Sequence, residues 1–272
     1  MKRRVLPGFG LTIGLTLFYL GIIILLPLGA LLAKAAAMPV DEFLAVAFGP
    51  RALAAYRVTI LSALGATVFN AVFGLALAWA LVRYEFPGRR LLDSLVDVPF
   101  ALPTAVAGIA LTALFAKNGW FGAPLQAIGV TVVYTPLGIL IAMAFTSLPF
   151  VVRTVQPVLQ DLDREVEEAA ATLGAGDGVS FRRVILPTLT PALLAGLSLG
   201  FARSLGEFGA VIFIAGNQPM RTEIMALLTF IKLEEFDYPA AAAIASMMLV
   251  FAFLTLLLTN ALQAWQMRHH GG

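Results

Sequence analysis

The sequence predicts an all-α, polytopic membrane protein with six transmembrane helices, and three observations carry that prediction. Hydrophobic residues make up 60% of the 272-residue chain and charged residues only 12%, with a mean hydropathy of +0.91. A soluble domain is nearer about a quarter charged. The apolar residues are gathered into long runs, each near the roughly 20 residues that cross a hydrocarbon core. Such runs must be helical, because lipid gives open backbone groups no partner. Finally, the basic residues divide unevenly between the connections, as they do in membrane proteins with a fixed orientation.

The first run, 11–33, follows Lys2, Arg3 and Arg4. A signal peptide cleaved near Ala35-Ala36-Ala37 is the rival interpretation, but its apolar core spans only about 7–15 residues. This run is longer and is expected to be a retained helix. The second span is expected at 57–82. The third, at 92–115, contains Pro99 and Pro103, which should distort its first turns or mark a wide, kinked entry helix. The fourth is expected at 136–158, the fifth at 188–214 and the sixth at 240–264.

With these spans, Lys2, Arg3, Arg4, Arg83, Arg89, Arg90, Arg153, Arg164, Arg182, Arg183 and Arg268 fall on one side. Lys34, Arg51, Arg57, Lys117, Arg221 and Lys232 fall on the other, and Arg203, inside a span, completes the 18 basic residues. The richer side is expected to be cytoplasmic and to hold both termini. Residues 1–272 thus form a single transmembrane domain with no soluble module, strong repeat or low-complexity tract.

Several function classes drop out. The chain has no cysteine, which removes disulfides, thiolate metal sites and cysteine nucleophiles. Its net charge of +2 is spread along the chain and gives no ground for a nucleic-acid partner. The two histidines, His269 and His270, lie in a polar tail, so no metal site is expected. No Gly-Lys-Ser or Gly-Lys-Thr occurs, so there is no Walker A phosphate loop. No catalytic residues and no cofactor of its own are expected.

Residues 161–174, DLDREVEEAAATLG, lie between two spans on the cytoplasmic side. Leu162, Val166, Ala169, Ala170 and Leu173 recur at steps of three or four and form one apolar stripe on a short helix. Asp161 or Asp163 can cap its start, and Gly174 can end it at a position that favours positive φ. Gly176, Asp177 and Gly178 are expected to form a turn. A second short helix is expected to begin near Val179 and to stop at Pro187, which would set the entry angle of the fifth span.

Inside that span, Arg203 and Glu207 stand four residues apart, so on a helix they share a face and can pair. Each charge costs about 2.5–3.5 kcal/mol at the centre of a span. Such a pair either lines a pathway for an anion, with Glu207 holding Arg203, or locks helix packing. Gly200, Gly206 and Gly209 lie close by and suit a tight helix contact or a bend.

Residues 168–187 fit a pattern of Glu-Ala-Ala, three residues, Gly, nine residues, an aliphatic, any residue and Leu-Pro. This resembles the coupling loop of the permease subunits of binding-protein-dependent ABC importers. Ala175-Gly176-Asp177-Gly178 departs from the family, which usually carries a basic or aromatic residue there, so a more flexible and less basic loop is expected. Further segments, among them FNAVFGLALAW at 69–79, RYEFPGRRLLD at 83–93, VPFALPTAVAG at 98–108, SLGEFGAVIFIAGN at 204–217 and EFDYPAAAAIAS at 235–246, are similar to the T-type sulfate/thiosulfate permeases. Molybdate and tungstate permeases share the GEFGA-like stretch and form the nearest alternative. An ion-coupled secondary transporter or a membrane-embedded assembly factor would need no such loop.

The resemblance implies a type I ABC importer permease fold with a core at 57–264 and a cytoplasmic coupling loop at 159–187, in the bacterial cytoplasmic membrane. It implies coupling to an ATPase through Glu168, Ala169, Ala170, Gly174, Leu186 and Pro187. It further implies a W-type permease as heterodimer partner, two ABC ATPase subunits that bind ATP and Mg, and a periplasmic sulfate/thiosulfate-binding protein. Arg203, Glu207 and Thr104, together with helix N-termini, are the candidates for the anion pathway or gate.

Overall fold

The computed structural model of the protein describes residues 9–270, apart from the side chains at 164, 167, 171, 260 and 262–270. Lys2, Arg3 and Arg4 and the side chains of Arg164, Arg268, His269 and His270 therefore lie outside the description. Every regular element among the described residues is helical. Five helices are long and apolar enough to cross a membrane: Phe9–Ala36, Pro50–Arg83, Pro136–Asp161, Asp177–Leu205 and Tyr238–Thr259. A shorter apolar helix, Thr104–Phe115, accompanies them.

Two expected spans are broken. The run at 92–115 divides into Arg89–Val96, Val98–Ala101 and Thr104–Phe115. Pro99 starts a new helical turn, and Pro103 forces Leu102 into extended backbone at φ −80° and ψ 135° before the next helix begins. The run at 188–214 ends as a long helix at Leu205 and resumes at Gly209–Ala215.

Pro187 does not stop a helix. The chain is helical without interruption from Asp177 to Leu205, and Gly176, at φ −70° and ψ 160°, is its N-cap rather than part of a turn. Residues Phe181–Ile185 form a π-turn closed by the bond from the Leu186 amide to the Phe181 carbonyl. The wider turn relieves the crowding that a proline ring imposes on the preceding carbonyls. The same device recurs at Gly21–Leu25, just before Leu26-Pro27.

Pro50–Arg83, Pro136–Asp161 and Asp177–Leu205 pack against one another at the centre of the bundle. Small residues permit close approach: a methyl at Gly196 would sit 2.9 Å from the Val151 Cα, and one at Gly74 would sit 2.9 Å from its side chain. Asn70 ties two of these helices by donating to the Ala144 carbonyl at 3.0 Å and the Ser147 hydroxyl at 2.9 Å. One buried cluster contains Tyr56, Ile139, Met143, Ile214 and Met225. A second, nearer the handle, contains Leu81, Val96, Val155, Leu159 and Leu189. The first helix touches the bundle through its later part, where Leu31 and Lys34 meet Tyr238 and Ala241 across a shared groove.

Candidate functional site

The segment expected to form a handle begins where the Pro136–Asp161 helix ends at Leu162 in extended backbone. Asp163, rather than Asp161, caps the next helix: its Oδ1 accepts from the Glu165 amide at 3.1 Å. That helix runs over Arg164–Thr172. Gly174 then takes φ +83°, and the Ala175 amide donates back to the Ala170 carbonyl at 3.0 Å. This is the glycine-dependent helix ending expected from the sequence.

The stripe of this helix is turned outward. Leu173 is 88% exposed and Val166 42%, Glu168 and Ala169 are exposed, and Ala170 is half-buried. A helix lying on its own protein would have buried that stripe. Leu186 and Pro187, half-buried, directly follow the π-turn. The handle is thus a short helix standing on a continuous helix that enters the bundle.

The second constellation lies at the paired breaks. Arg203 is in the last turn of Asp177–Leu205, and Glu207 lies in the break itself, so the two do not share one helix. The spacing still joins them: Arg203 Nη1 is 2.7 Å from Glu207 Oε2. Glu207 Oε1 meanwhile accepts from the Ala210 amide at 3.0 Å and so caps the Gly209–Ala215 helix. The pair is asymmetric, because the Glu207 side chain is 1% exposed and that of Arg203 34%. Glu207 is locked, and its partner cation is presented.

Thr104 is brought to the same place. Its hydroxyl and Cβ lie directly against Gly209, leaving no room for a side chain there. One turn on, a methyl at Gly108 would meet the Ala210 carbonyl oxygen at 2.5 Å. The helices beginning at Thr104 and Gly209 therefore touch backbone to backbone at their N-termini. No side chain caps the Thr104 helix, so its first amides keep the positive potential of a helix N-terminus. Of the three small residues near the pair, Gly209 serves this contact, Gly200 packs against Ser147, and Gly206 lies at the bend.

Arg153 and Arg51 each anchor ion pairs that the sequence does not single out. Arg153 binds Asp97 through Nε to Oδ1 at 2.8 Å and Nη2 to Oδ2 at 2.6 Å, and it binds Asp93 through Nη1 to Oδ1 at 2.6 Å. Nη2 also reaches the Asp93 carbonyl at 2.8 Å. The Arg153 hydrogen bond holds the Asp93 carboxyl below its ordinary range, with further help from Gln156 and Arg89 and against the effect of burial. Elsewhere, Arg51 forms a two-point bond with the buried Glu223 at 2.7 and 2.9 Å. The i,i+4 acids at 93 and 97 were a visible signal for the first cluster, whereas the sequence gives no sign of which arginine meets them.

Comparison with known proteins gives three kinds of likeness. Residues 70–268 match the family described as binding-protein-dependent transport system inner membrane component. The chain is 57% identical over 263 residues to the sulfate transport system permease protein CysT of Salmonella typhimurium, covering 97% of this chain and 95% of that protein. The protein of the same name from Escherichia coli is equally similar, and that from Synechocystis is 46% identical over 93% of this chain and 89% of its own length. A solved bacterial ABC transporter involved in alginate import superposes at a TM-score of 0.76, with 17% identity over 94% of this chain and 96% of the other, and so shares the fold.

Proposed function

Because the chain belongs to the binding-protein-dependent transport system inner membrane components, we propose that it is the transmembrane permease subunit of an ATP-driven ABC importer for sulfate. The observation that carries this reading is the 57% identity, over nearly the whole chain, to sulfate permeases. We take the partners to be a W-type permease, two ATPase subunits that bind ATP and Mg, and a periplasmic sulfate-binding protein. The assembly sits in the bacterial cytoplasmic membrane, and this chain itself carries out no chemistry.

The handle is the part that meets an ATPase. Glu168 and Ala169 are exposed, Ala170 is small, and Leu173 is bare, so a groove on a partner can cover the stripe. Gly174 sets where the helix stops, and Leu186-Pro187 joins it rigidly to the bundle. Sulfate, a strongly hydrated dianion, needs compensating positive potential inside a span. The paired breaks supply it from Arg203 and from the Thr104 helix N-terminus, with the Thr104 hydroxyl beside them. Glu207 neutralises part of the Arg203 charge, which keeps the anion from being trapped.

The test is ATP-dependent uptake into proteoliposomes holding the complete complex and its binding protein. Radiolabelled sulfate should accumulate, and unlabelled sulfate and thiosulfate should compete at lower concentration than molybdate or tungstate. Preferential competition by molybdate would transfer the assignment to that oxyanion, and uptake without the ATPase would refute ATP coupling.

A further inference from the structure

The handle follows the C-terminal end of the Pro136–Asp161 helix, and Arg153, flanked by Phe150 and Gln156, ties that helix to the broken one. Arg153 sits eight residues before the helix end, about 12 Å at 1.5 Å per residue. Only Leu162 and Asp163 separate that end from the handle helix. The planar guanidinium holds Asp97 at two points and Asp93 at a third, a rigid geometry that a lysine cannot reproduce.

What it grips is the hinge of the neighbouring chain segment. Asp97 is both the C-cap of Arg89–Val96 and the N-cap of Val98–Ala101. Phe100 then packs edge-on against Phe150, one turn before Arg153, with ring centroids 5.1 Å apart. Three residues beyond Phe100 is Pro103, and then Thr104, which lies against Gly209 and so beside Glu207 and Arg203. These contacts are continuous from handle to pathway. The cluster is also half in solvent, with Arg153 30%, Asp93 42% and Asp97 50% exposed. Exposed ion pairs add little stability, so stability alone is a weak reason for three charged groups to converge here.

We infer that Arg153, with Asp93 and Asp97, is a positioning strut that carries displacement of the handle to the helix break at Thr104 and so couples the ATPase cycle to the anion pathway. The inference rests on the importer reading above. Loss of the strut leaves the handle on its ATPase and the pathway intact but disconnects them.

The complete complex with its binding protein, in proteoliposomes, tests this through the number of ATP molecules hydrolysed per sulfate imported. Asp97→Asn keeps the shape and removes one anchoring charge. It should raise that ratio at least fivefold while complex yield and hydrolysis stay within twofold of the unmodified protein. Arg153→Lys keeps the charge but loses the two-point grip, and should raise the ratio in the same direction. A ratio changed less than fivefold by Asp97→Asn, a parallel fall in hydrolysis and uptake, or failure of both variants to assemble overturns the strut, since the cluster is then a packing element. An unmodified complex that hydrolyses ATP without importing sulfate refutes the importer reading instead.

Discussion

Arg203 and Glu207 show how four-residue spacing reveals a contact but not its consequences. The pair was legible because oppositely charged residues in an apolar run must meet something. Its asymmetry was not, because the burial of Glu207 at 1% exposure depends on tertiary packing around the break, which spacing does not reveal. That asymmetry decides the useful substitution. Alanine at 207 would also remove the cap on Ala210, so Glu207→Gln, which keeps an acceptor oxygen, is the cleaner change. Alone it leaves Arg203 unpaired, and breaking a buried pair costs about 3–5 kcal/mol, less here because Arg203 is one-third exposed. Arg203→Gln with Glu207→Gln should therefore assemble better than Glu207→Gln alone, yet import sulfate at least tenfold more slowly than the unmodified protein. Complex yield and uptake read the two effects separately, and normal uptake by the double variant would leave the pair with packing alone. Asp93 gives a prediction in pH. Its lowered native pKa contributes stability that is fully present above the ordinary carboxylate range and lost as pH falls through the native value. The carboxylate is 42% exposed, so the contribution is under about 1 kcal/mol. The melting temperature of Asp93→Asn in detergent should lie below that of the unmodified protein by a constant margin between about pH 5 and 8, and the margin should close below about pH 4.

At the scale of elements, length and hydropathy showed where the chain crosses, and local chemistry showed less about where it breaks. Pro99 and Pro103 announced the first break, since neither can donate and each restricts the residue before it. The break at Gly206-Glu207-Phe208 carries no proline, and it holds because a buried carboxylate caps the next helix. Conversely, Pro187 looked like a stop and is not one, because a π-turn ahead of it absorbs the misfit. The Leu-Pro pairs at 26–27 and 186–187 are each preceded by a π-turn, whereas Leu148-Pro149 sits inside an α-helix without one. Gly174 was read correctly because its requirement is intrinsic to the backbone: it holds φ +83°. A β-branched side chain there meets the left-handed penalty of about 1–2 kcal/mol. Gly174→Val should fray the last turn of Arg164–Thr172 and speed amide exchange at 170–173 roughly tenfold, since about 1.4 kcal/mol is a factor of ten. Asparagine tolerates that conformation better, so Gly174→Asn should show a smaller change. Equal protection in all three proteins would mean that the helix ending is set by contacts rather than by backbone conformation.

The whole molecule pairs a fastened end with an exposed handle. At one end, Arg51 and Glu223 and the Met225 amide on Thr59 fasten the connecting segment to the Pro50–Arg83 helix. At the other, the handle helix exposes Val166, Ala169 and Leu173, and Leu173 at 88% exposure is the most prominent of them. Full burial of a leucine contributes about 1.5–3 kcal/mol, which corresponds to a roughly tenfold to hundredfold change in affinity. Leu173→Asp should therefore reduce recovery of the ATPase with the purified chain at least tenfold, while the melting temperature of the chain itself in detergent stays unchanged, because the residue is 88% exposed. Glu168→Lys should weaken recovery by less if Glu168 lies at the rim of the contact, where charges are screened, and by more if it is enclosed. The order of the two variants thus reports which face of the helix enters the partner. Undiminished recovery with Leu173→Asp would place the stripe against the lipid headgroups instead, and the handle would then have to engage its ATPase through the elbow at Asp177–Ile185.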